Sequence, residues 1–406
     1  MQQKVVIIGA GPGGIFSAFL LLKQGHSVDL YDQSSGVGKK FLVAGKGGLN
    51  LTHSENIEIF ASRYGKDKNL FVKLLQHFSP EDLVNWCNEI GVETFIGTSG
   101  RVFPKNITAR EILIKLMNIL NANECFNLYL EHRLLKINND KTLLIESIVD
   151  KRIKTIHSEN IILSLGGASW KKTGSDGKWE KHFEGLGIKV HPFTPMNCGF
   201  ERTWSEYFIK KIDRHPLKNI KIMFDKRNEI GEVMLTPFGI EGSGVYAVSN
   251  LIRDEIYSQG SAHLYLDLRP SIKIDELIKK IRNKDKKITL SNHLRKSINI
   301  DKKIFILLKE ILNDYSLNCP ERLAMSIKKL DIELFSPRPI DEAISTSGGV
   351  CFSELNDALE LKKMPGMYII GEMLDFEAPT GGYLLQGCFT TAFAAVTSII
   401  NKNSHS

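Results

Sequence analysis

Residues 4–32, KVVIIGAGPGGIFSAFLLLKQGHSVDLYD, constrain this chain more than any other stretch. KVVII has the character of a short buried strand, the apolar spacing from Pro12 to Lys23 becomes helical, and SVDLYD alternates again as a second strand. A strand, a helix and a strand in so few residues commit this region to parallel pairing within a sheet covered on both faces. The turn between strand and helix sets Gly9, Gly11 and Gly14 at GxGxxG spacing, with Pro12 opening the helix, and Asp32 closes the second strand 18 residues after Gly14. Such glycines give a tight turn whose backbone approaches a pyrophosphate at the positive end of the helix, and the acid suits ribose hydroxyls. A dinucleotide site is the expectation.

Which dinucleotide is a separate question, since an NAD site fits the fingerprint equally well. GKKFLVAGKGGLNLTH, residues 38–53, has no evident use in a simple NAD domain. An isoalloxazine ring gives it one: Gly45, Gly47 and Gly48 let bare backbone lie against the ring, beside Asn50, and Lys39, Lys40 or Lys46 supplies positive charge where negative charge develops on reduction. LGGASW, with Gly166 and Gly167, and TGSDG (173–177) follow a buried strand, at the sheet end where open α/β sheets bind ligands. GEMLDFEAPTGGYLLQ (371–386) ends a strand at Gly371 and places Asp375 four residues on, where it is expected to hold a ribityl or phosphate group. Gly381 and Gly382 then open a helix that begins near Tyr383.

At 406 residues, two or three domains are expected, and 42 % apolar with 24 % charged residues is ordinary for a soluble globular chain. No uninterrupted apolar run approaches the roughly 18 residues of a membrane helix, and the N-terminus lacks the pattern of a secretory leader. The six cysteines have no CxxC pair and no metal-ligand spacing, so reduced thiols in a cytoplasmic setting and no metal are expected. Segments 127–137, 141–148 and 152–157 read as short strands. From His191 to Leu268 short strands are punctuated by Pro and Gly, residues 271–330 read as helices, and residues 340–406 restore a strand and a helix that rejoin the first sheet. The formal net charge of +7 is concentrated in residues 271–303, with 11 Lys/Arg against 4 Asp/Glu, so the remainder is neutral. A solvated helical surface is the plainer reading of that segment; RNA contact is the sharper one, although interleaved aromatics are lacking.

Taken together, GAGPGG, GKKFLVAGKGGLNLTH, GRVFP (100–104), TGSDG, LTPFGIEGSGVYAVS (235–249), STSGGV (345–350) and GEMLDFEAPTGGYLLQ resemble the BaiN/RdsA-type NAD(P)/FAD-dependent oxidoreductases, the aminoacetone-oxidase-like flavoproteins. The resemblance spans nearly the whole chain. It implies an α/β fold with a discontinuous, glutathione-reductase-like FAD-binding Rossmann-type domain (1–190 plus 340–406). An inserted β-barrel-like domain (191–270 plus 326–339) and a helical insertion (271–325) complete it. Many relatives carry GGGRCN where this chain has Gly45 to Asn50 with Gly48 and Leu49, and SGP where it has Glu241-Gly242-Ser243. The cofactor therefore transfers with the resemblance, and the substrate does not.

The expected activity passes electrons from NAD(P)H through FAD to a small organic acceptor or oxygen. No second GxGxxG is visible, so the nicotinamide co-substrate is expected to dock transiently. Alternatives are an RNA-modifying flavoprotein and an FAD-binding redox sensor without turnover. For proton transfer or substrate binding the candidates are His53, Arg101 and Tyr383, with His215 behind them; Cys388 reads as a buried helix residue. A small-molecule partner is expected, a membrane is not, and oligomeric state is open.

Overall fold

The computed structural model describes residues 3–45 and 48–404. It separates into two compact units, residues 1–194 with 345–406, and residues 195–344.

In the first unit, strand β1 (Lys4–Ile8), helix α1 (Pro12–Lys23) and strand β2 (Ser27–Tyr31) form the expected β–α–β turn of chain. They belong to a five-stranded parallel sheet in the order Met367–Ile369, Asn160–Leu163, β1, β2, Phe126–Tyr129. Both ends of the chain thus build one sheet. Successive residues point to opposite faces of a strand, and the burial follows that period. Val5, Ile7, Val28, Leu30 and Ile162 enter one hydrophobic cluster, with α1 and the C-terminal helix Tyr383–Ser404. Val6, Ile8, Tyr31, Ile161 and Leu163 enter a second, beneath the small antiparallel sheet of residues 132–156. A sheet buried on both faces needs apolar residues at every strand position, which KVVII and NIIL supply.

Three local features were not apparent from the sequence. The stretch 127–137 is two strands, broken at Glu131, whose φ is +57°. The apolar run FLVA after Gly38 forms helix α2 (Lys39–Ala44), begun by Gly38 at φ +59°. The C-terminal helix meets the length and mean hydropathy of a membrane span over Tyr383–Lys402, although threonines and small residues interrupt its apolar run. In the fold 56 % of that window is buried, as in a core helix.

The second unit is a seven-stranded antiparallel sheet ordered Leu330–Leu334, Ala262–Asp267, His215–Phe224, Arg227–Thr236, Gly239–Glu241, Phe200–Glu201, Ser336–Pro337. Its two edge strands are consecutive in sequence, joined through Phe335. The sheet must therefore roll until its edges nearly meet, a near-closed barrel. The helices of residues 274–328 do not form a core of their own. Leu277, Leu294, Leu307 and Leu323 share one cluster with Ile222, Val233, Leu264 and Leu266 of the sheet. Helix Ser249–Gln259, unannounced among the short strands, joins the same cluster through Ile252 and Ile256.

Candidate functional site

The GxGxxG turn works as its spacing requires. Gly9 has φ +107°, and a Cβ there would sit 2.2 Å from Ser164 O, so only glycine fits between the two strand ends. Gly14 is packed directly under Gly9, where a Cβ would lie 2.0 Å from Gly9 O, which brings α1 close to the turn. Gly11 caps α1 and Pro12 opens it, presenting the unpaired N–H groups of the first turn. Around Gly11 a Cβ would meet nothing within 4 Å. That open space is part of a cavity of about 620 Å³, within the roughly 300–1,000 Å³ usual for cofactor and small-molecule sites.

Gly9, Gly11, Pro12, Asp32, Lys40, Gly166 and Gly371 line this cavity, as do Thr173 to Asp176 of the TGSDG stretch. Asp32 ties the turn together: its carboxylate accepts from Ala10 N–H and from Ser34 N–H, each at 2.7 Å. Gln33 reaches across to Gly174 O at 2.8 Å, and Trp179 Nε1–H donates to Gly166 O at 2.7 Å, fixing the far wall. The acid that lines the cavity on the C-terminal segment is Glu372, three residues before Asp375. It takes Lys40 Nζ at 2.6 Å, and Lys40 also donates to Ser169 Oγ at 2.8 Å. Asp375 is instead engaged by Lys66 at 2.9 Å and His191 at 2.8 Å and does not line the cavity. Gly167 and Gly45 are packed against protein, a Cβ lying 2.2 Å from Thr346 Oγ1 and 2.4 Å from Ala109 Cβ respectively. Gly47 and Lys46 lie outside the described residues.

Two segments lead away from the cavity: α2 into residues 48–55, and Gly371–Glu372 into residues 381–383. They meet again. Gly382 (φ +103°) lies so close to Thr52 that a Cβ would come within 2.6 Å of its Cα, and beside Gly381 the nearest atom to an added Cβ is Arg101 Nε at 3.2 Å. Gly48, also at positive φ, faces Phe103. Asn50 Oδ1 and Thr52 Oγ1 are buried without a hydrogen-bond partner among the described residues. Leaving such groups unpaired is costly, so both are suited to a ligand's polar edge.

The three candidates for proton chemistry converge here. Tyr383 O–H donates to Glu55 Oε2 at 2.9 Å, Arg63 holds the same carboxylate through Nε and a second nitrogen, and the His53 ring stacks on Tyr383 at 5.4 Å and 19°. His53 is occupied at both nitrogens, Nδ1 accepting from Glu55 N–H at 3.2 Å and Nε2 facing Ser99 O at 2.9 Å. That pattern makes Nδ1 the acceptor and leaves Nε2 to donate to the Ser99 carbonyl. Arg101 makes no side-chain hydrogen bond or ion pair among the described residues. Burial alone would raise the Glu55 pKa, but hydrogen bonds from Arg63 and Tyr383 and the Arg63 charge outweigh it and hold the carboxyl below its usual range. Burial, then the bond to Glu55 and its charge, push Tyr383 well above an ordinary phenol. Tyr383 is therefore a protonated O–H held on a fixed carboxylate. His215 and Cys388 are not part of this group: His215 pairs with Asp301 at 3.2 Å in the second unit, and Cys388, on the C-terminal helix, is half-buried and lines the cavity rather than being a fully buried helix residue.

The residues present fit FAD. Open space at Gly11, the N–H groups at the start of α1 and a lysine in the cavity match a pyrophosphate; Asn50 and Thr52 lie beyond the residues that line it. A family profile described as the HI0933-like protein Rossmann domain matches residues 3–398. Ribosomal RNA dihydrouridine synthase of Escherichia coli (strain K12) is 24 % identical over 98 % of this chain and 98 % of its own. The 3-dehydro-bile acid delta(4,6)-reductase of Clostridium scindens is 24 % identical over 97 % of this chain and 98 % of its own. Among solved structures, a 3-ketosteroid-delta4-(5alpha)-dehydrogenase from Rhodococcus jostii RHA1 has a TM-score of 0.54 at 11 % identity, covering 98 % of this chain and 96 % of that one. Escherichia coli quinol fumarate reductase has a TM-score of 0.52 at 12 % identity, covering 100 % and 71 %. These two share the fold. The match along almost the whole chain, over the glycine turn and the cavity it lines, places the protein in the HI0933-like Rossmann family, the BaiN/RdsA-type FAD-dependent oxidoreductases.

Proposed function

We propose that the protein takes electrons from NAD(P)H and delivers them to a small organic acceptor, with oxygen as the competing sink. The observation that carries this reading is the Tyr383–Glu55–Arg63 chain beside Arg101, whose side chain has no partner among the described residues. FAD, which Gly9, Gly11, Pro12 and Lys40 of the cavity would hold, would supply the two-electron chemistry, and Asn50 and Gly382 belong to the segments that would meet its ring. The chain's own residues do the rest. Tyr383 holds a proton at its phenolic oxygen for an acceptor that gains negative charge. Glu55 and Arg63 orient that O–H, and Arg101 binds an oxygen or carboxylate of the acceptor. The His53 ring stacks on Tyr383 and limits the directions its ring can turn. Lys40 and the α1 N-terminus bind the pyrophosphate once Lys40 turns from Glu372. The names of two relatives, a reductase and a dihydrouridine synthase, describe addition of hydrogen, and we carry only that feature here.

The test is the visible spectrum of the purified protein, followed by anaerobic addition of NADH and then NADPH. A flavin spectrum bleached by one of them, and restored by an acceptor, is expected; a colourless protein that takes up no FAD refutes the reading. The basic segment 271–303 favours a second acceptor class, a base in RNA. Its mark is RNA binding that weakens steeply with salt, and failure to bind RNA at low salt removes it.

A further inference from the structure

Away from the cavity, His191, Cys351 and Asp375 bring one nitrogen, one sulfur and one oxygen donor within 4.8 Å of one another. They come from three stretches of the first unit pinned by backbone hydrogen bonds: Cys351 N–H donates to Lys189 O at 3.1 Å, and Asp375 N–H to Val350 O at 3.0 Å. Cys351 and Asp375 are buried, while the His191 side chain is 44 % exposed and leaves an approach from solvent. Asp375 already gathers positive partners, Lys66 Nζ and His191 Nδ1. A second acid stands by: Asp67 Oδ2 is buried with no hydrogen-bond partner among the described residues, and Asp67 is close enough to Asp375 for their charges to oppose each other. Neither the oxidoreductase chemistry nor the cavity uses any of these groups.

We propose that His191, Cys351 and Asp375 form a zinc site, with Asp67 or a water as the fourth ligand. A thiolate, an imidazole and a carboxylate together suit zinc, whereas calcium and magnesium select oxygen alone. Zinc bonds of about 2.0–2.3 Å set tetrahedral ligands roughly 3.3–3.8 Å apart, so donors now up to 4.8 Å apart close by up to about 1.5 Å, and the His191–Asp375 pair, hydrogen-bonded at 2.8 Å, opens by roughly 0.5 Å. The Lys66 ammonium occupies part of the place of the cation. Its side chain is 63 % exposed, and an ion pair of that kind is weak enough for the metal to displace. Cys351 coordinates as thiolate, its proton leaving to solvent. The metal would tie the segment leading to Gly381–Tyr383 to the strands beneath it.

The experiment uses the full chain, stripped by chelator dialysis and titrated with zinc and with cobalt(II). One equivalent of zinc is expected, together with a thiolate-to-cobalt charge-transfer band in the difference spectrum against cobalt-free protein. C351S removes the band, and C351S and H191A each weaken zinc binding by at least about 100-fold, the upper end for outer partners of metal sites. K66M, a change at an exposed side chain, tightens zinc several-fold by removing the competing ammonium. No zinc bound at micromolar concentration, uptake unaltered in both C351S and H191A, or unchanged affinity in K66M overturns the proposal.

Discussion

Peptide groups wall the cavity over the parallel sheet: Gly9, Gly11 and Gly166 leave room, α1 offers its first N–H groups, and Asp32 spends its carboxylate on two backbone donors. Around Tyr383 the arrangement is the reverse, for Glu55, Arg63, His53 and Arg101 act through side chains carried on a loop, a short helix and a strand. The difference teaches where tolerance lies. A backbone site fails when a methyl group is added, and a side-chain site fails when a functional group is taken away.

That contrast is broken most severely at Gly9. G9A puts a methyl group 2.2 Å from Ser164 O at a φ of +107°; strain and overpacking of at least about 3 kcal/mol are expected. Soluble yield should fall sharply, and the little that folds should carry no flavin absorbance. Y383F should come next, lowering acceptor reduction by roughly 100-fold while slowing flavin bleaching by NAD(P)H far less; stopped-flow measurement of the two half-reactions separates them. G11A sharpens the comparison, because the added methyl meets no protein atom. Its cofactor-free form should melt within a few degrees of the parent yet bind FAD about tenfold more weakly, about 1.4 kcal/mol, by fluorescence titration. The smallest effect is expected from E55Q. The folded Glu55 carboxyl lies below its ordinary pKa, so the stability it contributes is present above the unfolded value and disappears as pH falls through the folded one. Denaturant midpoints measured from neutral pH down through the carboxylate range should fall less steeply in E55Q than in the parent.

The same contrast explains what could be read from the sequence. β1, α1 and β2 were legible because their periods and the three glycines are local, and a GxGxxG turn has few conformations open to it. Glu372 was adjacent to the strand-ending Gly371 but was passed over for Asp375; the tight 3₁₀ turn at Gly371–Met373 decides which acid reaches the cavity. Glu55 and Arg63 carry no signal at all, since a charged pair eight residues apart on either side of a short helix (Ile57–Ser62) is common on any surface. Only the packing of Tyr383 against both, from the opposite end of the chain, gives the pair a meaning. Helix Ser249–Gln259 was hidden for another reason: its SNLIRDEIYSQ pattern has helical spacing, but it follows stretches whose glycines and prolines read as turns.

Because the sheet of the first unit takes its edge strand from residues 367–369, the ribosome must complete the entire second unit before Gly371, Glu372 and Cys388 can close the cavity. A nascent chain therefore exposes its glycine turn well ahead of the wall opposite. Capture of the cofactor becomes a late event in biogenesis, and shortening the C-terminal helix would starve the enzyme of flavin before it disturbed the turn that first recognises it.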